Sequence, residues 1–293
     1  MIGNWIKPNG ISLLIAAQNE EKTIEMCIRS FIDFADEIII VTNGSIDNTR
    51  SICKKLVDEF GEKVRFFDKP DLVDLYQNRE FALTKSKFRW VMRGDADFIA
   101  YNNEDGDKSI LKFRDMLLRK KVIYPTSFNI QPVNINYRWD LTAKSDVDKS
   151  KRIPYMAKAW GLGGTDRVFL NTPLLKFVRK GRWEIYSFRK FYNRIKIEKP
   201  LYFHCTLKSD KDLFFRSERT NWRELGDFNK YPRLIDYVEK FVLKEKYNCK
   251  SLDEAIRIYM EEAILPNLEE YNEDKYFPYP KVIKKLISNE IHE

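Results

Sequence analysis

Apolar runs and helically spaced apolar residues alternate along the first hundred positions. Ile11–Ala17 reads ISLLIAA, a nearly unbroken apolar run of the kind a strand buried on both faces carries. Gln18–Asn19–Glu20–Glu21 follows, with Asn19 or a neighbour placed to cap a helix, and Ile24, Cys27, Ile28 and Phe31 then recur at helical spacing. Glu37–Val41 is a second buried strand and Asn43–Gly44–Ser45 a turn. Asp47 is placed to cap a helix whose apolar face is Ile52, Cys53, Leu56, Val57 and Phe60. Val64–Phe67 predicts a third strand, Leu72–Lys85 a helix and Phe88–Met92 a fourth strand. Strands alternating with helices across short loops predict an α/β fold with a mostly parallel sheet. Ligands of such sheets lie beyond the C-terminal strand ends, which here carry Ala17–Asn19, Thr42–Asn43 and Arg93–Asp97.

The pattern changes twice further on. Residues 100–205 hold prolines, a glycine cluster at Gly161, Gly163 and Gly164, and many aromatics, which predict short strands and long loops. From about residue 210 the spacing turns helical, best over Leu234–Lys246 and Leu252–Leu265. The expected division is a domain over 1–205, in halves 1–100 and 101–205, and a helical C-terminal extension over 206–293. Of 293 residues, 43% are hydrophobic and 33% charged, an ordinary globular composition rather than a disordered one. The longest apolar runs are far too short to span a bilayer. The opening MIGNWIKPNG lacks the apolar core of a signal peptide, and the four cysteines form no CxxC pair, so the expectation is a cytoplasmic chain without a zinc ribbon or a thioredoxin-type site.

Charge adds one feature. The chain carries a net +8, and residues 176–199 hold nine basic side chains against two acidic ones, a local +7. Such a segment is either a solvated face or the mark of an anionic partner: a phosphate-bearing substrate, the inner face of an anionic membrane, or nucleic acid. No nucleic-acid-binding motif accompanies the charge, so nucleic acid is not expected.

The sharpest chemical signal is Arg93–Gly94–Asp95–Ala96–Asp97, two carboxylates flanking one residue directly after an apolar strand. In an extended chain both face one side, which suits a divalent cation with room left for a diphosphate. Three further pieces precede it in order: Leu13–Glu21 (LLIAAQNEE), Glu37–Thr49 (EIIIVTNGSIDNT) and Asn78–Leu83 (NREFAL), before Trp90–Val91–Met92 leads to Asp95 and Asp97. Together, over about 90 residues, they resemble family 2 glycosyltransferases of the GT-A fold. The resemblance implies a Rossmann-like, mostly parallel sheet flanked by helices, and an inverting transfer from a nucleotide sugar. It also implies Mn2+ or Mg2+ on the diphosphate, held by Asp95 and Asp97.

Carried over by position, the resemblance places Ala17, Asn19, Glu20, Thr42, Asn43, Arg79 and Asp95 at the nucleotide. Thr42–Asn43 stands where many members have an acidic contact to the base, so a UDP-sugar is the first expectation and the base stays open. Asn43 offers both a donor and an acceptor to a base edge. Asp166–Arg167–Val168–Phe169 and Gly181–Arg182–Trp183–Glu184 resemble elements of one bacterial subgroup, which makes Glu184 the candidate base and Asp166 the second choice. Tyr202–Phe203–His204 resembles a strand whose histidine approaches the metal, so His204 joins Asp95 and Asp97 as a candidate ligand. The acceptor implied is a hydroxyl of a glycan or lipid-linked molecule, phosphate-bearing ones included, as in polysaccharide biosynthesis. Two other readings share the sheet architecture: a nucleotidyltransferase, which usually has a glycine-rich loop where this chain has Gln18–Glu21, and a non-catalytic anion-binding protein.

Overall fold

The computed structural model describes residues 7–72, 74–122, 124–137, 154–157, 165–181 and 183–285. The elements alternate as expected at first: β1 (Ile11–Ala17), α1 (Ile24–Phe31), β2 (Glu37–Thr42), α2 (Thr49–Phe60), β3 (Val64–Asp68), α3 (Leu75–Lys85) and β4 (Trp90–Asp95). Next come β5 (Phe98–Ala100), α4 (Leu111–Arg119), β6 (Thr126–Ile130), β7 (Val133–Tyr137), β8 (Pro154–Ala157) and β9 (Thr165–Leu170). A hairpin of β10 (Phe177–Lys180) and β11 (Trp183–Tyr186) precedes β12 (Asn193–Ile197) and β13 (Tyr202–Thr206). The chain then turns helical with α5 (Asp210–Leu225), α6 (Leu234–Tyr237) and α7 (Leu252–Tyr259), before the short β14 (Leu268–Glu270). The wider-wound turns Val238–Lys246 and Met260–Ile264 prolong α6 and α7, so both expected helical stretches are present.

The chain divides into two compact units. One holds residues 1–134, 161–205 and 273–293, and the other 135–160 and 206–272. The chain crosses from the first unit to the second at 205/206. Residues 135–160, however, group with the helical unit, and the last 21 residues return to the first. In the helical unit, Phe214, Tyr231, Tyr237, Val238, Val242 and Ala255 form the core. There Glu218, fully buried, accepts a 2.6 Å contact from Lys246.

The first unit is built on a seven-stranded sheet in the order β12-β6-β9-β4-β1-β2-β3. β1 lies parallel to β2 and β4, and β2 parallel to β3, while β9 runs antiparallel to β4 and β6. β1 is buried at all seven positions, as its unbroken apolar run requires. On one face, Leu14, Ile39, Val41 and Val91 pack with Phe169 and with Phe177 and Tyr186 of the hairpin. Gly94 faces Ile15 across the β1–β4 pair, and a Cβ there would lie 2.6 Å from the Ile15 Cδ1 and 3.1 Å from that of Leu13. The N-terminal edge is pinned by Asp36. Its Oδ2 accepts from the Ile11 amide (2.8 Å), and both oxygens accept from Arg114 of α4 (2.8 and 2.7 Å).

Two boundaries differ from the sequence expectation. α3 starts at Leu75 rather than Leu72, because the Asp74 amide donates to the Gln77 side chain and closes the first turn there (3.0 Å). β4 runs Trp90–Asp95 rather than 88–92, because its pairing with β1 begins at Ile11↔Trp90 and continues to Ala16↔Asp95. The chain then turns at Ala96–Asp97, so Asp95 and Asp97 do not lie along one extended run.

Two stability outcomes follow. Gly94→Ala forces fully buried neighbours apart and lowers unfolding free energy by about 1–3 kcal/mol in urea titration. Burial alone would raise the Asp36 pKa, but Arg114 and the Ile11 amide reverse this and hold it below the usual carboxylate value. Its stabilisation is therefore complete above about pH 4 and is lost as pH falls through the depressed folded value. Asp36→Asn removes that part of the acid limb of a stability–pH curve.

Candidate active site

Strand ends and loops make the floor of the site. The Gly44 turn (φ +78°) follows β2, and Asn19 after β1 also lies in the left-handed region (φ +55°). The two loops are sewn together. The Asn19 amide donates to Ser45 Oγ (3.1 Å), its Oδ1 accepts from the Ile46 amide (2.9 Å), and the Glu20 amide donates to Thr49 Oγ1 (2.7 Å). Asp47 takes the Thr49 amide on one oxygen and the Glu21 amide on the other (3.0 and 3.1 Å). Asp47 thus serves the start of α2 and the β1 loop at once. Asn19 is not a helix cap: α1 begins after Thr23, whose amide donates to the Glu20 carbonyl (3.1 Å). Ala17 is buried at the end of β1, and the Asn43 carbonyl accepts from Gln18 Nε2 (3.1 Å). Thr42 Oγ1 donates to Asp68 Oδ1 (2.9 Å), which brings a carboxylate from the end of β3 to the position beside Thr42–Asn43.

A buried ion cluster lies next to this floor. Arg79 of α3, 2% exposed, reaches Asp95 with Nη2 and Glu184 with Nη1, the latter at 2.6 Å. Arg93 of β4 holds the other Glu184 oxygen (2.8 Å), and Arg167 of β9 holds the other Asp95 oxygen (3.1 Å). The Arg167 guanidinium also lies over the Phe98 ring, 4.8 Å from its centre. Three guanidiniums thus face two carboxylates, and the Nε atoms of all three arginines are buried without a hydrogen-bond partner among the described residues. Burial by itself would raise the Asp95 pKa, but Arg79 and Arg167 hold it far below the ordinary range. Burial lowers the Arg93 pKa to about 10, helped by the like charges of Arg167 and Arg79 and opposed by Glu184. For Arg79, the pull of Glu184 and Asp95 outweighs burial and raises the pKa.

Asp166 is brought to the same sheet face by a β-bulge. β9 pairs with β6 as Phe169↔Ser127 and Val168↔Phe128, then as Asp166↔Asn129, so Arg167 is an extra residue in the ladder. One extra residue inverts the alternation and turns Asp166 to the side of Phe169 and Tyr186. There, 4% exposed, Asp166 accepts from the Tyr186 hydroxyl (2.6 Å) and Arg194 Nε (2.8 Å), with Asn129 Nδ2 at 3.4 Å. Burial, and then this hydrogen bond, push the Tyr186 phenol up to about 12.

The remaining candidates meet across the turn after β4. β13 pairs antiparallel with β5, with His204 opposite Phe98, and the Cys205 amide donates to the Asp97 carbonyl (2.8 Å). His204 Nε2 then lies 3.1 Å from Asp97 Oδ2, and Nδ1 lies 3.0 Å from Asn134 Oδ1. With Nδ1–H donated to Asn134, Nε2 keeps the lone pair a metal requires. The 3.1 Å separation matches the roughly 3 Å expected of neighbouring ligands about 2.1 Å from one octahedral ion. Asp97 and His204 are thus two side chains that could hold a divalent cation. Asp95 faces the arginines instead, and among the described residues no group of three His, Cys, Asp or Glu side chains is arranged to hold a metal.

The structure thus brings Arg79, Asp95 and Glu184 into one cluster, pairs Asp97 with His204, and sets Asp166 beside Tyr186. Arg167 lay in a motif singled out above without a role, while Asn134 and Asp68 carried no signal; the partners of the three lie 72, 70 and 26 residues away.

The fold is a mostly parallel sheet flanked by helices, with an Asp-X-Asp at the end of β4. Residues 12–141 match the family described as glycosyl transferase family 2. No curated protein matches the chain. Among solved structures, it is similar to S. aureus TarS 1–349 in complex with UDP-GlcNAc: 17% identical, covering 74% of this chain and 67% of that one, TM-score 0.43. The UDP complex of the same protein is 16% identical over 84% and 76%, TM-score 0.41. Glucosyl-3-phosphoglycerate synthase from Mycobacterium tuberculosis, in complex with Mn2+, UDP and phosphoglyceric acid, is 22% identical over 41% and 43%, TM-score 0.30. Among the described residues no helix is long and apolar enough to cross a membrane.

Removing one carboxylate from the cluster leaves a guanidinium buried without its counter-charge. Glu184→Gln is therefore expected to cost about 3 kcal/mol of unfolding free energy, read as a drop in urea midpoint, whereas a freely solvated glutamate would show almost no change.

Proposed function

We propose that this chain is a glycosyltransferase that moves a sugar from a nucleoside-diphosphate donor, UDP-sugars first among them, to a hydroxyl of a glycan or lipid-linked acceptor. The observation that carries this reading is the family match over 12–141 coinciding with the ion cluster and the Asp97–His204 pair at the sheet's strand ends. The nucleoside lies against the ends of β1, β2 and β3, where Asp68 supplies the carboxylate that Thr42–Asn43 lacks. Asp97 and His204 hold Mn2+ or Mg2+, which when bound supplies charge neutralisation on the leaving diphosphate. The three arginines, one more than their carboxylates balance, place further positive charge beside that group as it departs.

The acceptor oxygen bonds to the anomeric carbon as the bond from that carbon to the diphosphate oxygen breaks, so the anomeric configuration inverts. The hydroxyl proton must go to a carboxylate. Glu184 is poorly suited, because both its oxygens are engaged by buried guanidiniums. Asp166 is the better acceptor: Asn129, at 3.4 Å, holds one of its oxygens only weakly. In this reading Glu184 positions Arg79 and Arg93.

Thermal unfolding against a panel of nucleoside diphosphates and nucleotide sugars, with and without Mn2+, tests the donor site. A ligand at about 100 times its dissociation constant adds roughly 2.7 kcal/mol. The expected result is a shift with uridine nucleotides that depends on Mn2+ and disappears in Asp97→Ala; no shift with any nucleotide overturns the reading. With the donor known, Asp166→Asn keeps the nucleotide shift and loses transfer. Normal transfer by that variant removes Asp166 as the proton acceptor.

A further inference from the structure

The basic segment is not absorbed by the donor site, and its geometry has a second character. The β10–β11 hairpin and the turn after it are anchored from beneath: Phe177, Tyr186 and Tyr192 are buried in the core, with the Tyr186 and Tyr192 rings 5.1 Å apart. Between these anchors the chain makes one tight turn at Arg189–Phe191, closed by the Phe191 amide on the Phe188 carbonyl (2.8 Å). Phe188 sits in the left-handed region at φ +52°, a conformation unfavourable for a bulky side chain. The cost is borne although the phenyl ring gains little cover: Phe188 is 53% and Phe191 72% exposed, their ring centres 6.3 Å apart.

Other side chains extend this apolar tip into a patch. Ser187 links the turn to the hairpin edge: its Oγ accepts from the Lys176 amide (2.9 Å) and donates to the Leu174 carbonyl (2.5 Å). Leu174 and Val178 are themselves exposed. Along β10, Phe177 points into the core, so Val178 and Lys180 alternate with it and with Arg179. Lys176, Lys180, Arg189 and Lys190, all exposed, lie on the same hairpin and turn. Glu184, one of only two acids in the 176–199 segment, is spent inside the buried cluster, so it does not offset these charges at the surface.

We propose that this face docks on an anionic lipid bilayer, with Phe188 and Phe191 inserted among the headgroups and the surrounding cations on the lipid phosphates. A soluble polyanion accounts for the cations but not for two exposed phenyl rings held outward by a strained backbone. An anionic bilayer accounts for both, since apolar insertion and charge attraction add. The surface is independent of the nucleotide reading and is read without any measurement of transfer.

The test is co-sedimentation of the full chain with vesicles of phosphatidylcholine alone or mixed with phosphatidylglycerol. Binding is expected only with phosphatidylglycerol and should weaken with added salt. Phe188→Asn with Phe191→Ser keeps a residue that tolerates the left-handed turn, so the thermal midpoint stays near that of the parent while partitioning falls at least about tenfold. Met116→Gln, an exposed apolar residue on α4, leaves partitioning unchanged. No binding to phosphatidylglycerol vesicles overturns the proposal. So does unchanged binding by the double variant, or competition by a soluble polyanion such as heparin with equal effect on parent and variant.

Discussion

Three buried guanidiniums share two carboxylates, and the arrangement of the strand ends depends on that unequal sharing. The groups come from α3, β4, β9 and β11, so the cluster ties together one helix, two sheet strands and the surface hairpin. Apolar residues of the same size could pack those elements as well or better, since desolvating five charges is expensive. What the cluster supplies is position. Each carboxylate oxygen has one guanidinium partner, and each element is held at the distance its charge dictates. The surplus charge and the Nε atoms left without a partner among the described residues leave the cluster short of an anion.

Much of the scaffold was legible because strand and helix signals here are strong and local. Ile11–Ala17 and Glu37–Thr42 could hardly be anything but buried strands, and α1 and α2 follow from the spacing of their apolar residues. Boundaries were less legible. β4 ends two residues short of Asp97 because its ladder with β1 begins at Trp90 and is spent by Asp95, which hydropathy alone does not reveal. The unit division was also hidden: residues 135–160 contain strands that resemble those of the first unit in composition, and only tertiary contact assigns them elsewhere.

The site divides in the same way. Asp95 and Asp97 stood out because they follow an apolar strand. That they would serve different masters, one two arginines and the other a histidine, depends on contacts from 16 to 107 residues away. Glu184 was the candidate base because of where it falls in the chain, and in the structure both its oxygens are held by guanidiniums. Asp68 carried no local signal, since an aspartate at a strand end reads as an ordinary surface residue, and Arg167, though part of a recognised motif, gave no hint that it would hold Asp95.

The bulge at Arg167 has a consequence for how chains of this kind are compared. Facing direction in a strand is a parity, and one inserted residue reverses the parity for everything before it while changing no side chain. A carboxylate matched by counting positions between two relatives, only one of which has the bulge, would be matched to a residue on the opposite side of the sheet. Equivalent groups in such chains are therefore identified by the face they occupy and the partners they touch. A one-residue change in strand length is accordingly a larger chemical event in β9 than most substitutions there.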